Sequence, residues 1–259
     1  MKILFLTQVL PYPLDAGAKV RQYHMLRWLA ERHEVTLVSF VRADDRPEAV
    51  AHLRTICAAV HVAPLPRSMW RNVRAGVRGL LTGLPMTIVR DETAEMTALV
   101  RGLAAEVPFD VVHADQLSMA WWGRLAVRAA AAAPGGRAPR SLLDEHNAIY
   151  LLTERMAATE RHPLRRLLMR REAAAFRRYE AAMLAAYDAV LTVTEEDRGH
   201  LEALLRDGHR HESILSGTEP PSDLGGGVQS KDAAAPDDRS AESILSGTEP
   251  PSDLGGGVQ

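Results

Sequence analysis

The chain has 259 residues, 46% hydrophobic and 25% charged, which excludes a largely disordered protein and leaves ample apolar side chains for a core. Its net charge of −2 hides an asymmetry, because residues 208–259 carry nine acidic and three basic side chains, whereas the rest of the chain is mildly basic. The mildly basic charge of residues 1–207 is weak support for partners that carry phosphate or for a membrane surface. Cys57 is the only cysteine, which excludes an intrachain disulfide.

Short apolar runs typical of strands alternate with longer stretches of helical periodicity. The first run, 2–7, is followed by a proline-rich turn and a helix at 18–32. The further predicted strands are 34–40, 59–63, 109–114, 141–144 and 189–194, and the further predicted helices are 47–59, 91–106, 117–132, 163–186 and 195–206. Strands alternating with helices imply crossover connections, so the sequence predicts an α/β fold with a doubly wound, Rossmann-like parallel sheet over residues 1–207.

Residues 208–259 break this pattern. Residues 212–229 read ESILSGTEPPSDLGGGVQ, and residues 242–259 repeat them identically after a small polar spacer. Each copy holds too few apolar residues to offset the entropy lost when a backbone becomes ordered, and two copies are too few for a solenoid. We therefore predict a disordered acidic tail, with a tandem binding motif as the alternative.

The turn after the first strand, QVLPYPLDAGAK, places Ala16 and Gly17 where a helix begins. Ligands of open parallel sheets bind beyond the carboxyl ends of the strands, and small residues at a helix start let backbone N–H groups approach a phosphate. This loop therefore fits a phosphate site, although a glycine with only a backbone role fits it equally well. No G-x-G-x-x-G follows the strand, and the chain has no Walker-type motif, which argues against NAD binding and P-loop chemistry.

Polar clusters follow two later strands. His113 and Asp115 come after one strand, and Asp144, Glu145, His146 and Asn147 come at the end of the next. Because parallel strands end at the same edge of a sheet, we expect both clusters to converge with the small-residue loop. The alternative is helix capping, with Asn147 as an N-cap. The spacing does not indicate a metal site, and no G-x-S-x-G elbow indicates an α/β-hydrolase.

Two basic stretches remain. Residues 67–81 combine an arginine row with an apolar stripe at helical spacing, which suits either an anionic membrane or packing of the stripe on the sheet, the interpretation we favour. The residues that would face lipid are Arg67, Trp70, Arg71, Arg74 and Arg78. In the second stretch, 161–179, Glu172 and the adjoining Glu180 predict a solvated helix face with ion pairs. Basic residues without interleaved aromatics argue against nucleic-acid binding.

Taken in order, several segments resemble one known family. The segments are MKILFLTQVLPYPLDAGAKVRQYHMLRWLAERHEVTLVSFVR, RGLLTGLP, FDVVHADQL, LLDEHNAIYLLTERMA and RRYEAAMLAAYDAVLTVTEEDRGHLEAL. Together they are similar to the amino-terminal half of family-4 glycosyltransferases, which build cell-surface polysaccharides and glycolipids. Such enzymes transfer a sugar from a nucleotide donor with retention, so the resemblance implies a nucleotide-sugar co-substrate and no further cofactor.

The resemblance also implies one half of a GT-B fold, in which two Rossmann-like domains face each other across a cleft. The amino-terminal domain of the family holds a sugar or lipid-linked acceptor, and its first loop, here Ala16 and Gly17, contacts the donor diphosphate. His113 and Asp115 are the catalytic candidates, since some relatives carry a histidine at the position of Asp115. The candidate residues of the acceptor edge are Glu145, His146 and Asn147.

The family's second domain, which binds the donor, has no counterpart after Leu205. We therefore expect a truncated chain that is inactive alone, or one subunit of a split transferase completed by a separate donor-domain chain. A non-catalytic acceptor- or membrane-binding module is the alternative. Pro11 and Pro13 interrupt the first apolar run, so we predict a cytoplasmic protein that is peripheral at the inner membrane face if the basic helix binds lipid.

Overall fold

The computed structural model describes the backbone of residues 1–216 and the side chains of residues 1–207. Six strands and nine helices alternate along this described part of the chain. The strands are β1 (Lys2–Thr7), β2 (Glu34–Val41), β3 (Ala59–Pro64), β4 (Val111–Asp115), β5 (Arg140–Glu145) and β6 (Ala189–Thr192). The helices are α1 (Gly17–Ala30), α2 (Pro47–Arg54), α3 (Met69–Thr82), α4 (Met86–Asp91), α5 (Ala94–Glu106), α6 (Leu117–Ala132), α7 (Ile149–Thr159), α8 (Pro163–Ala186) and α9 (Glu195–Ser216).

The strands form one parallel sheet in the order β3-β2-β1-β4-β5-β6. The chain first winds outward from β1 through β2 to β3, and then returns to the other side of β1 and winds outward through β4, β5 and β6. This reversal defines a topological switch point between β1 and β4, where the loops that follow the two strands diverge. The predicted α/β, doubly wound, Rossmann-like fold is confirmed.

Alternate residues of β1 fill two cores on opposite faces of the sheet. Ile3 and Phe5 pack with Leu26 of α1 and Leu53 of α2. The residues between them, such as Leu4, face a larger core formed with α5, α6 and α8. Burial on both faces explains why the strands read as apolar runs and not as alternating patterns.

All six predicted strands are present, whereas four helices differ from the prediction. The short helices α4 and α7 were not predicted. Helix α2 ends at Arg54 because the chain turns at Thr55 to enter β3. Helix α9 continues to Ser216, past the predicted domain boundary at residue 207, and so includes the first residues of the predicted tail. The remainder of the tail, with most of both repeat copies, lies outside the described residues.

Candidate functional site

The two predicted polar clusters lie at the carboxyl edge of the sheet. Strand β4 ends at Asp115 and strand β5 at Glu145, and the register of the two strands sets Asp115 beside Asp144. Helix α1 begins at Gly17, after the loop that leaves β1. The edge therefore brings together segments far apart in sequence, at the switch point where doubly wound sheets bind ligands.

A buried ionic cluster forms the base of this edge. Asp144 and Asp115 are fully buried, and the Arg21 Nη2 atom lies 2.7 Å from the Asp144 Oδ1 atom. Gln22 donates to one oxygen of Asp115, and the His146 Nε2 atom lies 3.2 Å from the other. Arg21 is the fixed cation that compensates the Asp144 carboxylate. A buried carboxylate needs such a partner because its desolvation is costly.

Sequence reasoning missed Arg21 and Gln22. Each lies about one turn after the loop on α1, and each reaches a carboxylate more than 90 residues away along the chain, since the sequence separations are 123 and 93. Their position shortly after Gly17 is the only feature of the sequence that could have indicated a role in the site, and it is weak evidence. These two residues anchor α1 to β4 and β5, and so they fix the loop that carries Ala16 and Gly17.

His113 lies beneath the cluster and not on its surface. Its ring stacks on Phe5 with centroids 4.3 Å apart, and its exposed fraction is 4%. Burial lowers the pKa of His113 to about 4, an effect that Asp144 opposes and Arg21 supports. The imidazole is therefore uncharged at neutral pH, and it adds no positive charge to balance the carboxylates.

Three side chains of the cluster have metal-ligand chemistry. His113, Asp115 and Asp144 each offer one ligand atom, and these atoms lie within 4.8 Å of one another. Arg21 already contacts one oxygen of Asp144, and Gln22 and a histidine occupy both oxygens of Asp115. A divalent cation would compete with the guanidinium for the same carboxylate charge. The contacts therefore favour an ion-paired base for the site, and the prediction of no metal stays a prediction.

Gln116 joins β4 to α6 in a strained conformation. Its φ of 70° and ψ of 157° lie in a region that glycine populates and other residues avoid. Its N–H donates to the Asp144 carbonyl over 2.9 Å, and its side chain lies 3.2 Å from the His146 Nδ1 atom. Such strain costs on the order of 1–3 kcal/mol and is found preferentially at functional sites. Together with the contact of Asp115 to Nε2, this Gln116 contact holds the His146 ring at both of its nitrogens.

The start of α1 is open to solvent. Ala16 and Gly17 are exposed, no side chain caps the helix, and its first turn contains no acidic residue. A Cβ atom placed on Gly17 would meet no heavy atom within 4 Å, so the space above the first N–H groups is clear. Its φ is not positive, which means that glycine is not required here by backbone strain. Unpaired N–H groups and the helix dipole make this end suitable for an anion.

Comparison with known protein families agrees with this architecture. The family model described as the glycosyl transferase 4-like domain matches residues 16–215. The chain belongs to this family. The match begins at Ala16, the N-cap of α1, and extends to the last residue but one of α9. No curated protein matches the chain.

Other predicted residues of the glycosyl transferase 4-like domain lie away from the cluster. Glu145 is buried on the opposite face of the sheet, where burial and the nearby Glu180 raise its pKa well above the ordinary value. Asn147 is exposed at the edge but is not the N-cap of α7, a position held by Ala148. Of the acceptor-edge candidates, only His146 joins the ionic cluster.

The N-terminus of α7 is capped from another helix. The Glu180 carboxylate, fully buried on α8, accepts the N–H groups of Ile149 at 3.0 Å and Tyr150 at 2.7 Å. Glu172, on the same helix, accepts the Met86 N–H at 2.8 Å. The prediction of a solvated face with ion pairs was therefore wrong for Glu180, which is fully buried and satisfies backbone N–H groups that would otherwise lack partners. Glu172 is partly exposed and does pair with Arg171, although it also accepts a backbone N–H.

Helix α3 does not pack its apolar stripe on the sheet, so the favoured interpretation of residues 67–81 was wrong. Ala75 and Gly79 face the protein, and Gly79 approaches the backbone and side chain of Met86 closely. The large apolar side chains remain exposed, with exposed fractions from 52% to 83%. They are Met69, Trp70, Val73, Val77, Leu80 and Leu81.

The arginines of this stretch divide into two pairs. Arg71 donates to the carbonyls of Arg90 and Glu92, and Arg78 lies 2.7 Å from the Glu92 carboxylate. Arg67 and Arg74 are exposed beside the apolar face. Among the described helices, none is long and apolar enough to cross a membrane.

Proposed function

We propose that this chain is the acceptor-side domain of a retaining, nucleotide-sugar-dependent glycosyltransferase. Family membership supports the reaction class. The observation that carries the proposal is the open start of α1 at Ala16 and Gly17, held at the switch point by the ion pair of Arg21 with Asp144. The acceptor would be a growing cell-surface polysaccharide or a glycolipid at the cytoplasmic face of the membrane.

In this proposal, the first turn of α1 stabilises the donor diphosphate. Charge accumulates on the diphosphate as the glycosidic bond to the donor breaks, and oriented N–H groups favour that charge. The nucleotide would be held by a donor-binding domain located elsewhere in the protein or on a separate chain. Positioning of donor and acceptor supplies the remaining acceleration.

The two catalytic candidates, His113 and Asp115, are buried, with exposed fractions of 4% and 0%. Because neither side chain is open to a substrate, we assign both a role in positioning other side chains of the site. The Asp115 carboxylate lies 3.2 Å from the His146 ring and orients it, and the His146 side chain is more exposed, at 9%, than that of His113 or Asp115. Contact with the transferred sugar would then come from His146 and Asn147.

Replacement of Gly17 by glutamate is expected to weaken binding of UDP or inorganic pyrophosphate at least about tenfold, because a carboxylate would occupy the anion position. The space around Gly17 is open, and an acidic residue in a first helical turn is favourable, so the fold is expected to persist. Isothermal titration calorimetry measures the loss. Ala94→Glu is the matched control, since Ala94 is the exposed first residue of α5.

Equal losses in the Gly17→Glu and Ala94→Glu variants would show that net charge alone weakens binding, which contradicts the assignment of the donor loop. A wild-type chain that binds neither UDP nor pyrophosphate would favour the second candidate function, a non-catalytic acceptor- or membrane-binding module. The exposed face of α3 is the observation that favours this second candidate.

We propose further that α3 lies on an anionic membrane. Its apolar face is exposed, with Trp70 at 82% and Leu81 at 83%, and the cations Arg67 and Arg74 flank it. A helix with an apolar face and basic margins binds at the interface of an anionic bilayer. Arg71 and Arg78 contribute by fixing α3 to the end of α4 and to Glu92, which follows it, and not through lipid contact.

Replacement of Trp70 by glutamate is expected to lower binding to vesicles containing phosphatidylglycerol about tenfold. The substitution removes a large apolar side chain that the bilayer would bury, and the new carboxylate is repelled by the anionic lipid. Co-sedimentation at increasing lipid concentration measures the change. Trp28→Glu is the control, because Trp28 is an exposed tryptophan on α1, far along the chain from α3. Unchanged sedimentation of the Trp70 variant would contradict the proposal.

A further inference from the structure

The beginning of α8 projects from the body of the domain. Residues 161–168 are all exposed, whereas α8 has a buried side from Ala173 onward. Three leucines lie on this projecting part, with exposed fractions of 66% at Leu164, 66% at Leu167 and 47% at Leu168. Large apolar side chains that cluster on a protein surface mark a place where another surface covers them. The start of α8 is therefore a candidate contact surface.

Arginines are interspersed with these leucines. Residues 161–171 contain five arginines and no acidic residue. Arg171 pairs with Glu172, whereas the other four are exposed and form no ion pair among the described side chains. These four are Arg161, Arg165, Arg166 and Arg170. The start of α8 is therefore both apolar and strongly basic, which matches a partner that is apolar and negatively charged.

The leucines lie on the side of α8 that faces the end of α3. Leu168 follows Leu164 by four residues and Arg171 by a further three, so these residues share one side of the helix. The Arg171 guanidinium donates to the Gly79 carbonyl in the last turn of α3. The exposed leucines of α8 therefore continue the exposed apolar face of α3.

Helix α7 connects this surface to the carboxyl edge of the sheet. It begins at Ile149, three residues after His146, and its eleven residues span about 16 Å at 1.5 Å per residue. The turn between α7 and α8 follows directly at its far end. The exposed start of α8 is therefore about one length of α7 away from His146.

We propose that the exposed start of α8 is a second contact with an anionic bilayer, beside α3. The inference rests on the proposed function in one respect, which is the contact of α3 with the same membrane. Leu164, Leu167 and Leu168 would enter the acyl boundary. The arginines among them would bury their apolar stems and keep their guanidinium groups at the level of the lipid phosphates. A nucleic acid would match the arginines but offers no apolar surface to cover the leucines.

Two contacts fix the orientation of the domain, which one contact does not. A single interfacial helix can roll about its own axis, whereas two helices joined through Arg171 and Gly79 define one plane on the bilayer. The carboxyl edge with His146 is then held at a constant distance from the lipid. The second contact therefore determines how deep in the membrane a lipid-linked acceptor can lie when it meets the site.

Replacement of Leu167 by glutamine is expected to weaken binding of the full chain to vesicles containing phosphatidylglycerol about tenfold, because most of an apolar side chain is no longer buried in lipid. Leu167 is exposed and glutamine is a good helix former, so the fold is expected to persist. Co-sedimentation measures the change. Trp28→Gln is the control, since Trp28 is exposed on α1, on the opposite face of the sheet from α8.

Replacement of Arg165 by glutamine is expected to weaken the same binding about fivefold at low salt, the value for one basic residue near an anionic leaflet. The loss should disappear at high salt and on vesicles of phosphatidylcholine alone, whereas the loss caused by Leu167→Gln should remain at high salt. Arg54→Gln, an exposed arginine on α2, is the control. A loss with Arg165→Gln that is equally large on phosphatidylcholine would overturn the proposal.

A fluorescent label locates the contact directly. Cys57 is buried, so a bimane reagent is expected to label the new thiol of the Leu164→Cys variant. Lipids that carry a doxyl group on the acyl chain should quench this bimane, and they should not quench bimane on the Arg54→Cys variant. Equal quenching at the two positions, or none at position 164, would overturn the proposal.

Sedimentation equilibrium separates a bilayer from a second copy of the chain. A dimer that Leu167→Gln dissociates, with unchanged vesicle binding, would overturn the proposal in favour of self-association. The contacts of α3 and α8 are also distinguishable. A loss of binding in the Leu167 variant but not in Trp70→Glu would contradict the placement of α3 and keep that of α8, whereas the reverse result would overturn the present inference and keep the proposed function.

Discussion

Replacement of Arg21 by methionine is expected to lower the free energy of unfolding by about 3 kcal/mol, the lower end of the range for breaking a buried ion pair. The variant would leave the fully buried Asp144 carboxylate without the cation that pairs with it. The guanidinium is one-third exposed, so water compensates part of the loss. Urea-induced unfolding, followed by circular dichroism, measures the change.

Arg27→Met is the matched control on the same helix. Arg27 pairs with Glu31 at 3.1 Å, and both side chains are more than half exposed, so its loss is expected to cost less than about 1 kcal/mol. The double variant Arg21→Met, Asp144→Asn should recover part of the loss, because the carboxylate that needed the cation is gone. Equal effects of the Arg21 and Arg27 variants would contradict a buried cluster at the base of the site.

Replacement of Glu180 by glutamine is expected to change how stability depends on pH. Burial raises the pKa of Glu180 to about 7, although the N–H groups of Tyr150 and Ile149 oppose this. Because the pKa in the folded chain lies above its ordinary value of 4.5, the wild-type protein loses stability from this group as pH rises from about 4.5 to about 7. Glutamine cannot ionise, so the variant lacks that loss.

The free energy of unfolding of the Glu180→Gln variant, relative to wild type, is expected to rise by about 3 kcal/mol between pH 4.5 and pH 8. Urea unfolding at four pH values measures this difference. Glu172→Gln, on the same helix, removes a carboxylate paired with Arg171 and is expected to lose stability at pH 8 instead. A difference between the Glu180 variant and wild type that does not change with pH would contradict the buried carboxyl.

Strands were predictable from sequence because each is a short apolar run bounded by turn residues. Strand β1 has the predicted bounds, and the polar clusters at Asp115 and His146 were placed at the correct edge because parallel strands end together. Helix α4, with six residues, has too few turns to show a periodicity, and α7, with eleven, was not recognised as a helix. Their ends depend on contacts from α8, through Glu172 and Glu180, that no local pattern contains.

The errors made for α3 and α8 share one physical cause. An amphipathic pattern shows which side of a helix is apolar or polar, but not what that side contacts in the folded protein. The apolar side of α3 was expected to meet the sheet, yet the helix packs on α4, with Ala75 and Gly79 buried, and Trp70 faces solvent. In α8, Glu180 was expected to face solvent and instead caps another helix. Arg21 was overlooked for a similar reason, since its partner Asp144 lies 123 residues away.

Binding of a nucleotide-sugar diphosphate by the first turn of α1 is tested by amide NMR of the ¹⁵N-labelled chain during titration with UDP. The largest shift changes are predicted for the amides of Gly17, Ala18 and Lys19, with smaller ones at Gln116, and they should be absent in the Gly17→Glu variant. Shift changes that leave these amides unaffected, or that persist in the variant, would contradict the claim.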